Sequence, residues 1–265
     1  MSTSLHLTDG EISLDDLGSG APLLLLHGFP TSRHLWDQVA PALADSGYRV
    51  VVPDLIGYGA STAPADVRID MSSQARWMWE LLDVLGIEQV ALVAHDVGSA
   101  AAQLMVAASP ARVRKLVILD GVYAGEWAME AVQSIRAWAP ADAHRLPAVL
   151  ARRLGKSELL RRILAEYAGE SGGLRLIRAA RDLDPTQTAQ MGPALRRSGV
   201  PARVLWGRDD HYLPVDSVAR PLAELLGAQL VLLPGGHFTP ADCPIEVVAA
   251  LCDFIATPVP TIEPD

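Results

Sequence analysis

Cysteine is scarce in this 265-residue chain: there are two, Cys243 and Cys252, with neither CxxC spacing nor a group of histidines beside them. That excludes a disulfide scaffold and a zinc site of the usual spacing. Lysine is as rare, occurring at Lys115 and Lys156, and the 22 basic residues are outnumbered by 31 acidic ones for a formal charge of -9. A surface of that sign does not track phosphates, so nucleic acid is excluded as a partner. The apolar runs stop well short of the roughly eighteen residues that a membrane span needs, and the first residues show neither the basic region nor the apolar core of a signal peptide. The expectation is a soluble, cytoplasmic protein with no membrane partner. Apolar side chain is plentiful, with 50% of residues hydrophobic against 20% charged, enough to build a core that offsets the entropy of ordering the chain.

Short Leu- and Val-rich runs alternate with longer amphipathic stretches, the pattern of parallel strands covered on both faces by crossover helices. Strands are predicted at Leu23–Leu26, Arg49–Val52, Gln89–Ala94, Lys115–Leu119, Arg203–Trp206 and Gln229–Leu233, and helices at Ser72–Leu85, Ser99–Ala108 and Val215–Leu226. Leu5–Leu17 adds an antiparallel hairpin at the sheet edge. From about Gly121 to Arg197 the alternation gives way to Arg-, Ala- and Leu-rich helical sequence, with ten basic and eight acidic residues between 121 and 195. The expected organisation is a core of 1–120 and 196–257, a helical cap of 121–195, and a disordered Pro-rich acidic tail of 258–265.

The run from Val90 to Ala102 is a buried strand that passes through a polar pair straight into a helix. Ala94, Asp96 and Gly98 have the small–polar–small spacing of a tight, strained turn, where larger side chains would strike neighbouring backbone. Asp96 therefore protrudes at the carboxyl end of the strand, the end where sheets of this class bind ligands. Capping of the following helix is the alternative role for Asp96, but capping alone does not ask for small residues on both sides.

Together with His27–Pro30, Asp54–Gly59, Gly207–Pro214 and Gly235–Pro240, each after a predicted strand, this elbow resembles the α/β-hydrolase superfamily over nearly the whole chain. The resemblance implies a mostly parallel, doubly wound eight-stranded sheet with a helical cap inserted after strand 6. Most of the superfamily carries Ser at the elbow. Asp96 is similar instead to the branch of epoxide hydrolases, haloalkane dehalogenases and fluoroacetate dehalogenases. A carboxylate is already ionised at neutral pH and needs no base to attack. On an ester carbonyl it would give an anhydride, whereas on a saturated carbon bearing an epoxide oxygen or a halide it gives an alkyl ester that water can cleave. An esterase built on Ser99 conflicts with the register of the elbow.

The resemblance makes His237 the base that activates this water and Asp210 the acid that orients it. Asp209 is the neighbouring register, and Asp120 matches members that carry the acid after the sixth strand. Backbone amides of Phe29 and Val97 form the oxyanion hole, with Gly28 and Pro30 shaping the loop, His27 orienting it and His95 structural. No cofactor or metal is implied. Epoxide hydrolases usually present two cap donors to the leaving oxygen; His144 resembles the first, while Tyr167 and Tyr123 are candidates for the second, with Tyr212 more distant. Haloalkane dehalogenases usually have Trp after the nucleophile and Asn in the oxyanion loop, where this chain has Val97 and Phe29. Fluoroacetate dehalogenases usually carry two arginines near the elbow, where it has Val97 and Ala100. Trp36, Trp127 and Trp138 are candidates for the pocket wall. The expected partner is thus a small apolar substrate with an epoxide or carbon–halogen bond, the epoxide leading, and homodimerisation stays open. A non-hydrolytic ligand-binding or ring-closing protein using the same pocket is the reading of another class.

Overall fold

A computed structural model describes residues 2–125, 127, 129–155 and 157–258. Strands β1 (Ser2–Leu7), β2 (Gly10–Leu17), β3 (Ala21–Leu26), β4 (Tyr48–Pro53), β5 (Val90–His95), β6 (Val113–Leu119), β7 (Ala202–Gly207) and β8 (Gln229–Leu233) form one sheet in the order β1-β2-β4-β3-β5-β6-β7-β8. β1 and β2 form the expected antiparallel hairpin, β2 joins β4 antiparallel, and every later pairing is parallel. The order reverses around β3, and the crossover helices α1 (Ala40–Asp45), α2 (Met71–Val84) and α3 (Gly98–Ala108) cover the sheet.

The apolar runs read as strands because both faces are buried. Leu24, Leu26 and Val51 belong to one cluster and Leu23, Leu25, Val50 and Val52 to the other, the two-residue period of a pleated strand. Helix α2 begins one residue before the expected Ser72, where the Asp70 side chain accepts from the Ser73 amide and caps the first turn. The predicted helix over 215–226 is two pieces: a π turn at Val215–Ala219 and then the helix α10 (Arg220–Leu226). Pro221, which has no amide hydrogen, falls in the first turn of α10, where no donor is needed.

Between β6 and β7 lies a helical insert, α4 (Met129–Arg136), α5 (Leu146–Leu154), α6 (Glu158–Ala165), α7 (Gly169–Asp182), α8 (Thr186–Ala189) and α9 (Gly192–Arg197). After β7 come α10 (Arg220–Leu226), α11 (Thr239–Asp242) and α12 (Pro244–Ile255). Lys115 Nζ donates to the Ile255 carbonyl at 3.1 Å and to Thr257 Oγ1 at 2.8 Å, placing a cation on the carbonyl end of α12. Of the tail only Pro258 is described, so the expectation for 259–265 lies outside the described residues. Among the described residues no helix is long and apolar enough to cross a membrane.

A cluster of polar groups fastens the insert to the core. His34 Nδ1 lies 3.0 Å from Asp37 Oδ1 and its Nε2 lies 3.5 Å from Glu166 Oε1 at the end of α6, while Ser32 donates to Glu166 at 3.1 Å. The hydrogen bond to Asp37 raises the His34 pKa; burial opposes it, and the Glu166 charge adds to the rise. A pKa above the ordinary 6.5 means that this contribution is complete below about pH 6.5 and fades as pH rises through the folded-state value. Because the side chains are 28% to 33% exposed, the contribution is a few tenths of a kcal/mol. The melting temperature of His34→Gln should fall about 1 °C below that of the parent at pH 6 and coincide with it at pH 9; a gap of the same size at both pH values would refute the ionic contact.

Candidate active site

Asp96 closes β5 with φ +50, a left-handed conformation costly for a residue with a Cβ. Tight packing enforces it: a Cβ on Gly98 would collide with the His27 carbonyl, and one on Gly28 would collide with the Asp96 side chain itself. The two small residues let the loop that carries Asp96 and the loop after β3 meet at backbone distance. As a result the Phe29 amide donates to Asp96 Oδ1 at 2.8 Å, and the Val97 amide also bonds this carboxylate.

The other oxygen, Oδ2, lies 3.3 Å from His237 Nε2, and His237 Nδ1 lies 2.9 Å from Asp210 Oδ2. Asp210 Oδ1 accepts from the Tyr212 and Leu213 amides at 2.8 and 3.0 Å, and the Leu213 carbonyl accepts from Trp206 Nε1 at 2.8 Å. Asp96, His237 and Asp210 are each buried. Burial alone depresses the His237 imidazole, but the Asp210 charge and hydrogen bonds to both carboxylates outweigh it and hold its pKa well above 6.5. Burial likewise raises Asp96, and the hydrogen bond and charge of His237 more than offset it, leaving its pKa below 3.8. Both shifts favour a carboxylate on Asp96 beside a protonated His237.

Histidines around the site are neutral supports. His95 is buried, its pKa lowered to about 4 by burial and by the His237 charge, and its Nε2–H donates to the His237 carbonyl at 2.7 Å. Burial also lowers His27, whose Nε2 accepts from the Leu55 amide at 3.0 Å and whose Nδ1 lies 2.9 Å from the Gly28 carbonyl. It thereby ties the loop after β3 to the loop after β4. Asp120 is buried and bonded elsewhere, Oδ1 accepting from the Gly207 amide at 2.6 Å and Oδ2 meeting the Thr239 hydroxyl; burial raises its pKa to about 8. Asp209 is exposed. The Ser99 hydroxyl accepts from the Val122 amide at 2.9 Å, which engages it away from Asp96.

A cavity of about 60 Å³ opens over Asp96 and His237, with Phe29, Pro30 and Val97 in its floor and Trp127, Val132, Ile135 and Leu150 in its walls. That is space on the order of four or five water molecules. Of the substrate-binding candidates, Trp127 lines it, with its indole N–H donating to Thr188 Oγ1 at 2.9 Å. The others do not, each for a packing reason. His144 is exposed on a short 3-10 turn, Pro140–Arg145, whose buried residue is Ala143. The turn faces α7 through Ala143, and a Cβ on Gly173 would collide with the Ala143 carbonyl. Tyr167 is buried, but its hydroxyl is spent joining insert to core, donating to the Thr31 carbonyl at 2.9 Å and accepting from the Gly59 amide at 3.0 Å. Trp36 is fully buried in the core with Leu35 and Val39. Tyr123 and Trp138 are half-buried and pack on the opposite core cluster.

Tyr212, only a distant candidate from the sequence, does line the cavity, its ring 5.3 Å from that of His237. Phe238, Arg153 and the α4 and α5 residues went unread. The spacings Val132–Ile135 and Leu150–Leu154 were available as helical stripes, and Tyr212 and Phe238 flank the proposed acid and base in sequence.

Residues 21–162 match the family described as the alpha/beta hydrolase fold, and the chain belongs to that family. It is 30% identical over 257 residues to a 2-hydroxymuconate semialdehyde hydrolase of Pseudomonas sp. strain CF600, covering 92% of this chain and 90% of that one. Over 107 residues it is 43% identical to a fluoroacetate dehalogenase of Burkholderia sp., covering 39% of this chain and 35% of that one. Among solved structures, a candidate epoxide hydrolase from Pseudomonas aeruginosa superposes with a TM-score of 0.76 at 25% identity, over 97% of this chain and 95% of that one. The chain is thus an α/β-hydrolase related to the epoxide hydrolases and dehalogenases.

Proposed function

We propose that the protein is a cofactor-free hydrolase that opens epoxides through an Asp96 ester, with the insert acting as its cap. The observation that carries this reading is the continuous contact from Asp96 Oδ2 through His237 to Asp210, with Asp96 Oδ1 already held by the Phe29 amide. Oδ2 attacks an epoxide carbon, the carbon–oxygen bond breaks, and its electron pair leaves on the oxygen as an alkoxide. The resting imidazolium holds one proton in excess, and that proton neutralises the alkoxide. Tyr212, whose hydroxyl has no hydrogen-bond partner among the described residues and which lines the cavity beside His237, is the relay.

The same transfer leaves His237 neutral, as the second step requires. Neutral His237 takes a proton from water, and the hydroxide adds to Asp96 Cγ. The oxyanion rests on the Phe29 and Val97 amides, each donor supplying about 3 kcal/mol. Collapse expels the diol oxygen, which takes the carboxyl proton, and carboxylate and imidazolium are restored. The sum is epoxide plus water to diol, with no proton drawn from solvent.

Likeness to the Burkholderia fluoroacetate dehalogenase supports a carbon–halogen bond as the second reading. Against it, the Trp127 N–H is committed to Thr188, and Phe29 and Val97 bring no side-chain N–H to a departing halide. A panel of epoxides, haloalkanes and haloacids separates the two leaving groups. The ester itself is tested by single turnover in heavy-oxygen water. The peptide carrying Asp96 is expected to gain the label while the first product stays unlabelled; label in the product and none in the peptide would exclude the mechanism. No turnover and no adduct on any member of the panel would favour the non-hydrolytic binding protein.

A further inference from the structure

We infer that Arg153 is an anion-binding residue at the cavity mouth, and that the substrates are carboxylates whose acid group is separated from the reacting carbon by an apolar chain. The inference rests on the Asp96 ester reading for the chemistry and on Arg153 for the substrate. Arg153 lies in the last turn of α5, exposed, and lines the cavity over Asp96. It also lines two surface recesses beside it, one shared with Glu130 and His211, the other with Asp209 and Asp242. It therefore stands where the cavity meets solvent. Leu150, one turn earlier on α5, and Leu154 line the same cavity, so this face of the helix runs from apolar wall to guanidinium.

Several arginines of the insert are committed, Arg161 to Glu158, Arg162 to Asp37, Arg175 to the Gly59 carbonyl and Arg178 to the Val67 carbonyl, and Arg153 is the insert arginine that lines the cavity over Asp96. Arg153 has no ion pair or hydrogen bond among the described residues, although Glu130, Asp209 and Asp242 border the flanking recesses. It shares the cavity lining with Asp96 and His237, and the remaining lining is apolar apart from the hydroxyls of Ser134 and Tyr212. Ser134 donates its hydroxyl to the Ala131 carbonyl at 2.6 Å.

A chain of charge -9 repels anions unless a local cation counters the field. A guanidinium at the rim does this for a carboxylate and presents a bidentate fork to it. The floor, Phe29, Pro30 and Val97, offers no such partner to an acid group adjacent to the reacting carbon. The acid must be distal, and Val132, Ile135 and Leu150 cover the apolar stretch between. Terminal-epoxide alkanoic acids meet all three requirements.

The test is a ladder of terminal-epoxide alkanoates and the matching amides, assayed with the parent enzyme, Arg153→Gln, Arg153→Lys and, as a control one residue away, Arg152→Gln. At its optimal chain length the parent is expected to favour acid over amide in kcat/KM by about tenfold, the size of one charge-assisted contact. The preference should lie in KM, weaken with added salt, vanish in Arg153→Gln, persist in part in Arg153→Lys and persist fully in Arg152→Gln. Equal rates on acid and amide at every length, or a preference that survives Arg153→Gln, would overturn the inference. Calorimetric binding of unreactive alkanoates to the parent and Arg153→Gln reads the site without the chemistry. If no epoxide turns over but alkanoates bind only when Arg153 is present, the ester reading fails and the anion site stands.

Discussion

His237→Gln is expected to halt turnover while leaving the protein covalently modified. Alkylation needs only the ionised Asp96 carboxylate, whereas hydrolysis of the ester needs a base for water, and glutamine cannot serve as one. Removing a general base typically costs 10²- to 10⁴-fold, so kcat should fall by about 10³-fold. Over the same time intact-protein mass spectrometry should show one equivalent of adduct, heavier by the whole epoxide, on the peptide that carries Asp96. Glutamine can still donate to Asp210 Oδ2, the oxygen that His237 Nδ1 meets at 2.9 Å, so the loop after β7 should keep its place. An active variant, or an inactive one that never accumulates adduct on any substrate the parent consumes, would remove His237 from the role of base. The adduct also separates leaving groups: an epoxide adds its full mass, and a haloalkane adds its mass less hydrogen halide.

The grouping of Asp96, His237 and Asp210 was more legible in the sequence than the lining of the cavity above them, and the difference is physical. Asp96 stood out because the approach of two backbones tolerates no Cβ at Gly28 or Gly98, a constraint that leaves small residues at fixed spacing. The resemblance pointed to Asp210, with Asp209 as the neighbouring register; in the structure Asp210 is buried on His237 and Asp209 is exposed. Strands were legible because both faces of the sheet are covered, although their ends ran on by one to three residues, as at Ala21 and Tyr48, where pairing continues past the apolar run. The insert was different. Which way a short helix turns its residues depends on what it packs against, and His144, polar and suitably distant from Asp96, faces outward because Ala143 is the residue that fits against α7. Tyr167 has a hydroxyl of the right kind in the wrong service. Neither outcome is encoded within a few residues of the side chain concerned.

Asp54→Ala is expected to cost about 3–5 kcal/mol of stability, the usual penalty for breaking a buried ion pair from one side, and to lower the melting temperature by on the order of 10 °C. Asp54 is fully buried and holds the Arg33 amide at 2.7 Å, the Arg33 guanidinium and the Ala60 amide at 2.8 Å. Its loss would leave two amides without their acceptor and would deprive a nearly buried guanidinium of one of its carboxylates, Asp15 lying 3.1 Å away on its Nε. The loops after β3 and β4 meet through this group, and Phe29 lies four residues before Arg33, so the damage should reach the Phe29 amide that donates to Asp96 and is proposed to hold the oxyanion. Measured well below the transition, kcat should drop by about tenfold, less than the full value of one oxyanion donor because the amide is loosened, not removed. Replacing both partners, Arg33→Met with Asp54→Leu, should recover much of the stability, since an apolar pair avoids the desolvation that a lone buried charge incurs. It should not recover kcat, because leucine cannot accept from the Arg33 amide. Denaturant unfolding and activity on the parent and these two variants thus separate what the pair contributes to the fold from what it contributes to the site, and a loss below about 1 kcal/mol in Asp54→Ala would show that the loops hold together without it.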